Sequence, residues 1–212
     1  MMKNLFIFLL TFCISLAAQA QPAGFAPIKD QAAFKQKFAL ASGRILSIES
    51  DFSQVKNLSM LKDKINSKGK FYYQKANKVR IEYTKPFQYL MVLNNNSMMV
   101  KDEQKTSNYN TRSNKVMQSI NNIMLDCMRG TVYQNKEFNT VVYESPREIL
   151  LQLTPATSVM KKLFARIEVY LDKNDFNVLR LNMIENGGDN SLMTFTNRIM
   201  NKTLNDALFL TR

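Results

Sequence analysis

The 212-residue chain contains no histidine, and that absence alone excludes His-dependent triads, Cys-His dyads and histidine metal sites. Cysteine is scarce as well, with only Cys13 and Cys127. Cys13 falls in an amino-terminal leader, so the mature chain keeps Cys127 alone and can close no internal disulfide. Its stability must therefore come from a core, in which a lone thiol reads as one more small apolar residue. The sequence has no glycine-rich phosphate loop, internal repeat, low-complexity tract or linker. Two candidate carboxylate pairs, Asp172 with Asp175 and Asp102 with Glu103, fall on turns where solvation accounts for them. The chain reads as non-enzymatic, with no catalytic residue, no metal and no cofactor.

What is present begins with the leader. Met1 to Ala20 carries one charge at Lys3, an apolar core from Leu5 to Leu16, and Ala18, Gln19 and Ala20 as a small-x-small cleavage site. This is the pattern of a secretory signal peptide cleaved after Ala20. The apolar run is too short for a bilayer span, and Leu10, Thr11 and Phe12 are not the small residues that precede a lipidated cysteine. Residues 21–212 then form one domain, long enough to bury a sizeable core. The formal charge is +12, lowered by one when Lys3 leaves. Lysine and arginine are spread along the chain without the aromatic-basic motif of a nucleic-acid module. The charge is better suited to transient contact with an anionic membrane than to nucleic acid.

The most informative stretch runs from Gly69 to Lys101. Phe71 and Tyr73 share one face of a strand, which Gln74 to Asn77 ends as a turn. Val79, Ile81 and Tyr83 then alternate with Arg80, Glu82 and Thr84, so one face is apolar and the other faces water. After Pro86 the run Phe87 to Leu93 is almost continuously apolar. Asn94 to Asn96 turn the chain, and Met98 to Val100 makes a third strand. Upstream, Asp30 caps a helix whose stripe is Ala33, Phe34, Phe38 and Ala41 and which Gly43 ends. Ile48 to Lys56 reads as a strand, and Leu58 to Ser67 as a second with a poorly defined start. Downstream, the polar segment to Asn114 reads as a strand end and loop. Ser113 opens a helix with Met117, Ile120, Met124 and Met128 on one stripe, flanked by Leu125 and Cys127 and closed by Gly130. Strands follow at Phe138 to Glu144, Ile149 to Thr154, Arg166 to Asp172, Val178 to Glu185 and Ser191 to Arg198, with a helical turn at Ser158 to Phe164. Strands in succession with two or three amphipathic helices, and no βαβ alternation, predict an antiparallel sheet packed on helices. The expected fold is mainly β with α, an incompletely closed half-barrel whose helices cover its concave apolar face.

Several residues carry a family resemblance. Gly69, Phe71 and Tyr73, then Lys78 to Tyr83, Lys85 with Pro86, an apolar strand and an asparagine-rich turn resemble the periplasmic outer-membrane lipoprotein carriers of the LolA family. Phe52 and Gln54 resemble the family's opening strand, and Thr194 to Phe209 its last strand and tail. The sequence departs from the family at Lys75 with Ala76, where a basic residue followed by proline is usual, and at Asn94 with Asn95 in place of Asp-Gly. The resemblance implies a periplasmic chaperone that shields the acyl chains of lipoproteins and shuttles them from inner to outer membrane. An inner-membrane ATP-driven release complex would load it, an outer-membrane receptor would unload it, and the expected state is a monomer. Shielding is needed because each methylene costs about 0.8 kcal/mol in water, so one long chain costs roughly 10 kcal/mol. The expected cavity wall is Phe52, Phe71, Tyr73, Val79, Ile81, Tyr83, Leu90, Val92 and Met98, with Met117, Ile120 and Met124 as lid. Lys75 is a candidate polar contact to the turn-side helix or to cargo. The alternative is a lipid- or glycolipid-binding sensor module of the same fold with no lipoprotein cargo. The mass of the exported protein is expected to start at Gln21; a mass that retains residues 1–20 would overturn the leader reading.

Overall fold

The computed structural model describes residues 21–113 and 115–211, so the leader expected at residues 1–20 lies outside the described residues. In chain order the elements are β1 (Ala26–Pro27), α1 (Gln31–Gly43), β2 (Ser47–Asn57), β3 (Ile65–Gln74), β4 (Lys78–Lys85), β5 (Tyr89–Asn94), β6 (Ser97–Lys101) and β7 (Thr106–Asn110), followed by α2 (Lys115–Arg129). The second half holds β8 (Phe138–Glu144), β9 (Glu148–Pro155), α3 (Ser158–Leu163), β10 (Phe164–Asp172), β11 (Val178–Glu185) and β12 (Asn190–Met200), with a short 3₁₀ turn at Asp206–Phe209. Among the described residues the strands form one 12-stranded antiparallel sheet in the order β1-β8-β9-β10-β11-β12-β2-β3-β4-β5-β6-β7. No ladder joins β7 to β1, so the sheet is an open half-barrel. Among the described residues no helix is long and apolar enough to cross a membrane.

Alternation sets the two faces. Across β3, β4 and β5, Tyr73 lies opposite Val79 and Val79 opposite Leu93, while Phe71, Ile81 and Met91 make the next row. The same face continues through Leu151, Val169 and Leu181 in β9, β10 and β11. These side chains join Phe34 and Phe38 of α1 and Leu125 and Met128 of α2 in one core. The Asp30 carboxylate caps α1 by accepting from the Ala33 amide at 2.9 Å. Phe34 and Phe38 stack at 5.5 Å and meet Phe176 from the β10–β11 turn. Gly130 ends α2 in the left-handed region at φ 68°, and the Thr131 amide reaches back to the Asp126 carbonyl at 2.9 Å. A Cβ at Gly130 would also meet Ser42 Oγ at 2.7 Å and the Phe38 carbonyl at 2.8 Å, so this glycine lets the two helices close on each other.

The convex face differs from the solvated surface expected of it. The Arg80 guanidinium donates to Glu82 at 2.7 Å and to the Leu208 carbonyl at 3.2 Å, while the Asn94 amide donates to the Phe209 carbonyl at 3.1 Å. The carboxyl-terminal turn is thereby laid over β4 and β5, with Phe209 fully buried. Further along the same face Phe25 packs edge-on against Tyr170 at 6.0 Å. Thr106–Asn110, part of the segment expected as a strand end and loop, pairs with β6 as the separate edge strand β7. It is polar because the edge position buries little of either face, so it shows no apolar period.

One glycine shapes the wall. Gly69 sits at a register shift between β3 and β4, and the Phe52 ring lies over it against Tyr83, 4.9 Å away edge-on. A Cβ there would come within 2.0 Å of the Glu82 carbonyl oxygen and 2.6 Å of the Phe52 ring. Gly69→Ala is expected to lower stability by about 2–3 kcal/mol, because backbone as well as ring must shift. Urea unfolding that shows no change in midpoint would sink this reading.

Candidate functional site

Between the concave face and α2 lies an apolar cavity of about 200 Å³. Ile123, Met124, Cys127 and Met128 form its roof, Phe71, Ile81, Tyr83 and Met91 one wall, and Ile167, Val169, Leu181, Met193 and Phe195 the other. The spacing of α2 explains the roof, because residues three and four apart share a helical face. Larger hollows exist, such as one of about 620 Å³ beside Arg80, Glu82 and Asp102, but charged groups line it and it suits water. The cavity under α2 suits hydrocarbon.

Its few polar groups are held neutral. Burial, with a contribution from Tyr89, pushes the Tyr83 hydroxyl up to about 12, and the Gln54 amide lies at that hydroxyl. Gln54 also donates to Ser191 Oγ. Burial, with the nearby Asp126 charge, pushes the Cys127 thiol from 9.0 up to about 12. A thiol held protonated in this way is a poor nucleophile, so the lining can pack against apolar matter but offers no activated group. At about 200 Å³ the space is smaller than the roughly 300–1,000 Å³ usual for a ligand pocket. Its methionines can repack around whatever enters.

The structure divides the residues expected to form the wall. Phe71, Ile81, Tyr83 and Met124 line the cavity. Phe52, Tyr73, Val79 and Met98 stand on the same concave face but are packed into the core. Leu90 and Val92 do not belong to the wall: they pair with Glu82 and Arg80 and so face the convex side, while Tyr89, Met91 and Leu93 point inward. Val92 is buried there between Arg80 and Asn94, both bonded to the carboxyl-terminal tail. Because the convex position beneath the tail is apolar at Val92 and Leu90 adds a second apolar residue on that side, alternation cannot choose between the faces of β5. Met117 and Ile120 belong to α2, but their side chains lie outside the described residues. Lys75 Nζ donates to the Gly43 carbonyl at 3.1 Å, and its backbone amide to Leu46 at 2.8 Å, which ties the β3–β4 turn to the end of α1. A cation there also favours the helix's negative end. The opposite wall from β10 to β12 was not singled out in the sequence. Its alternation was legible, but nothing local shows which strands lie beneath the lid.

An open antiparallel half-barrel closed by a methionine-bearing helix over an apolar hollow defines the class of protein. A family model for the outer membrane lipoprotein carrier protein LolA matches residues 44–211, and the chain belongs to that family. No curated protein matches it in sequence. Among solved structures, an uncharacterized conserved protein from Thermus thermophilus is similar with a TM-score of 0.50 and 11% identity, over 85% of this chain and 93% of that one. A LolA superfamily protein from Nitrosomonas europaea is similar with a TM-score of 0.46 and 8% identity, over 84% and 96%. The Mycobacterium tuberculosis lipoprotein LppX is similar with a TM-score of 0.42 and 12% identity, over 83% and 99%.

Cys127 reports on the lid. The native thiol is expected to react with an aqueous thiol reagent about 100-fold or more slower than the urea-unfolded chain. Because the folded chain holds that proton more tightly than the unfolded one, stability is expected to fall as pH rises from 9.0 toward about 12. Rapid native labelling at neutral pH would show that α2 does not seal the cavity.

Proposed function

We propose that the protein is a periplasmic carrier that shields lipoprotein acyl chains under α2 and shuttles them from the inner to the outer membrane. The observation that carries this reading is the apolar cavity itself, roofed by a helix bearing Met124 and Met128 and enclosed within the family's match. A long acyl chain exposed to water is costly by roughly 10 kcal/mol, and burial against such a lining offsets that cost without chemistry. Loading by an ATP-driven inner-membrane release complex and unloading at an outer-membrane receptor belong to the same reading and rest on membership of the family. The loop between β2 and β3 exposes Met60 and Leu61 beside Lys62 and Lys64, a combination that supports transient contact with an anionic bilayer.

Native mass spectrometry of the protein taken from its own periplasm, followed by extraction of anything bound, tests the proposal. An acylated lipoprotein is expected. It should be lost in Ile81→Glu and Met124→Glu variants that retain the wild-type circular dichroism spectrum, because each places a carboxylate in the hydrocarbon-lined space. Recovery of a free lipid or glycolipid would assign the cavity to the sensor-type module. A protein that takes up no lipid at all would end the carrier reading.

A further inference from the structure

The cavity has a polar end, and a backbone irregularity builds it. In β12, Met193 and Phe195 point inward, so regular alternation would turn Asn197 inward and Arg198 out. The register breaks there: Thr196 pairs with Asp51 and Ile199 with Glu49, which leaves Asn197 and Arg198 together opposite Ser50. Asn197 takes the left-handed conformation at φ 51°, and its side chain turns out to donate to Asp51 at 2.7 Å. Arg198 is thereby brought to the concave side. It lines a narrow cleft with Asn177 and Ser50 that shares Phe71, Met128, Val178 and Phe195 with the main cavity. A bulge that re-aims one side chain is a recurrent device beside binding sites.

The guanidinium delivered there is underused. Arg80, Arg166 and Arg180, the strand arginines of the convex face, each hold a carboxylate at 2.7 to 2.8 Å. Among the described residues Arg198 forms no such pair, and its one hydrogen bond goes to the Val178 carbonyl at 3.3 Å. Beside it the Asn177 side-chain oxygen is buried with no partner among the described residues, an acceptor that leaves recognition of a ligand oxygen to the guanidinium. Five N–H donors with one weak acceptor, at the end of a hydrocarbon-lined space, suit the oxygen acceptors that terminate an acyl chain. We propose that Arg198 anchors the polar end of the bound amphiphile, so that its chain lies under α2 in one fixed direction. The shared chemistry is a carboxylate or ester oxygen, and the proposal rests on reading the cavity as an acyl-chain site.

Binding of palmitate and of methyl palmitate to the purified, delipidated protein, by titration calorimetry, tests it. Arg198→Met is expected to weaken palmitate binding about 10-fold or more, with Arg198→Lys recovering part of the loss. If the anchor reads charge, the wild type prefers palmitate to its methyl ester and the substitution removes only that preference. If it reads the carbonyl, both probes lose affinity together. Arg198→Gln serves in the same way should the methionine variant fail to fold. Equal affinity of wild type and folded variants for both probes would overturn the anchor and leave the acyl-chain cavity standing. A wild type that takes up neither probe would overturn the acyl-chain reading and the anchor with it.

Discussion

The two-residue period of the strand is the constraint on which everything else depends. Because the sheet is continuous from β1 to β7, alternate residues along its regular stretches are committed to the same hollow, and the ladder holds that commitment except where the register shifts, as in β12. The hollow is wider than the inward side chains can fill from the sheet alone. Helix α1 plugs part of it through Phe34 and Phe38, and α2 spans the remainder, leaving a cavity beneath its methionines. Gly69 and Gly130 are the two places where the absence of a side chain lets this closure happen, one beneath the Phe52 ring and the other between the helices.

The convex face obeys the same period with different partners. Its charged side chains are tied into ion pairs such as Arg180 with Glu148, and Glu168 is enclosed by Arg166, Tyr170 and Asn182. Phe25 and the carboxyl-terminal turn cover the apolar exceptions. Phe25 lies against Tyr170, and the carboxyl-terminal turn lies over β4 and β5. The sheet is therefore lined on one side by an apolar hollow and covered on the other by Phe25 and the carboxyl-terminal turn, which lie behind the wall.

Much of this was legible from residue order. Val79 to Tyr83 alternates cleanly, since only one of its faces packs on the core, and the register confirms its inward set. The Met124 stripe likewise announces a helix with one apolar side. Elsewhere the period fails for physical reasons. Val92 is buried beside a tail more than one hundred residues away, as the Asn94 contact with Phe209 shows, and Leu90 lines the hollow beside Arg80 and Glu82, so no local pattern marks their direction. Thr106–Asn110 is a strand without a buried face and looks like a loop. Arg198 reverses its direction through a bulge, and a parity count along β12 places it on the wrong side.

The unpaired seam between β1 and β7 has a mechanical meaning. Its two lips are short, two residues in β1 and five mostly polar ones in β7, which guards against strand addition by other chains. A sheet closed on itself has its bore set by strand number and stagger. Here, among the described residues, no ladder joins β7 to β1, so the bore is not fixed in that way. The space beneath α2 is therefore bounded by the side chains of that helix and the concave face, not by a closed ring of backbone ladders.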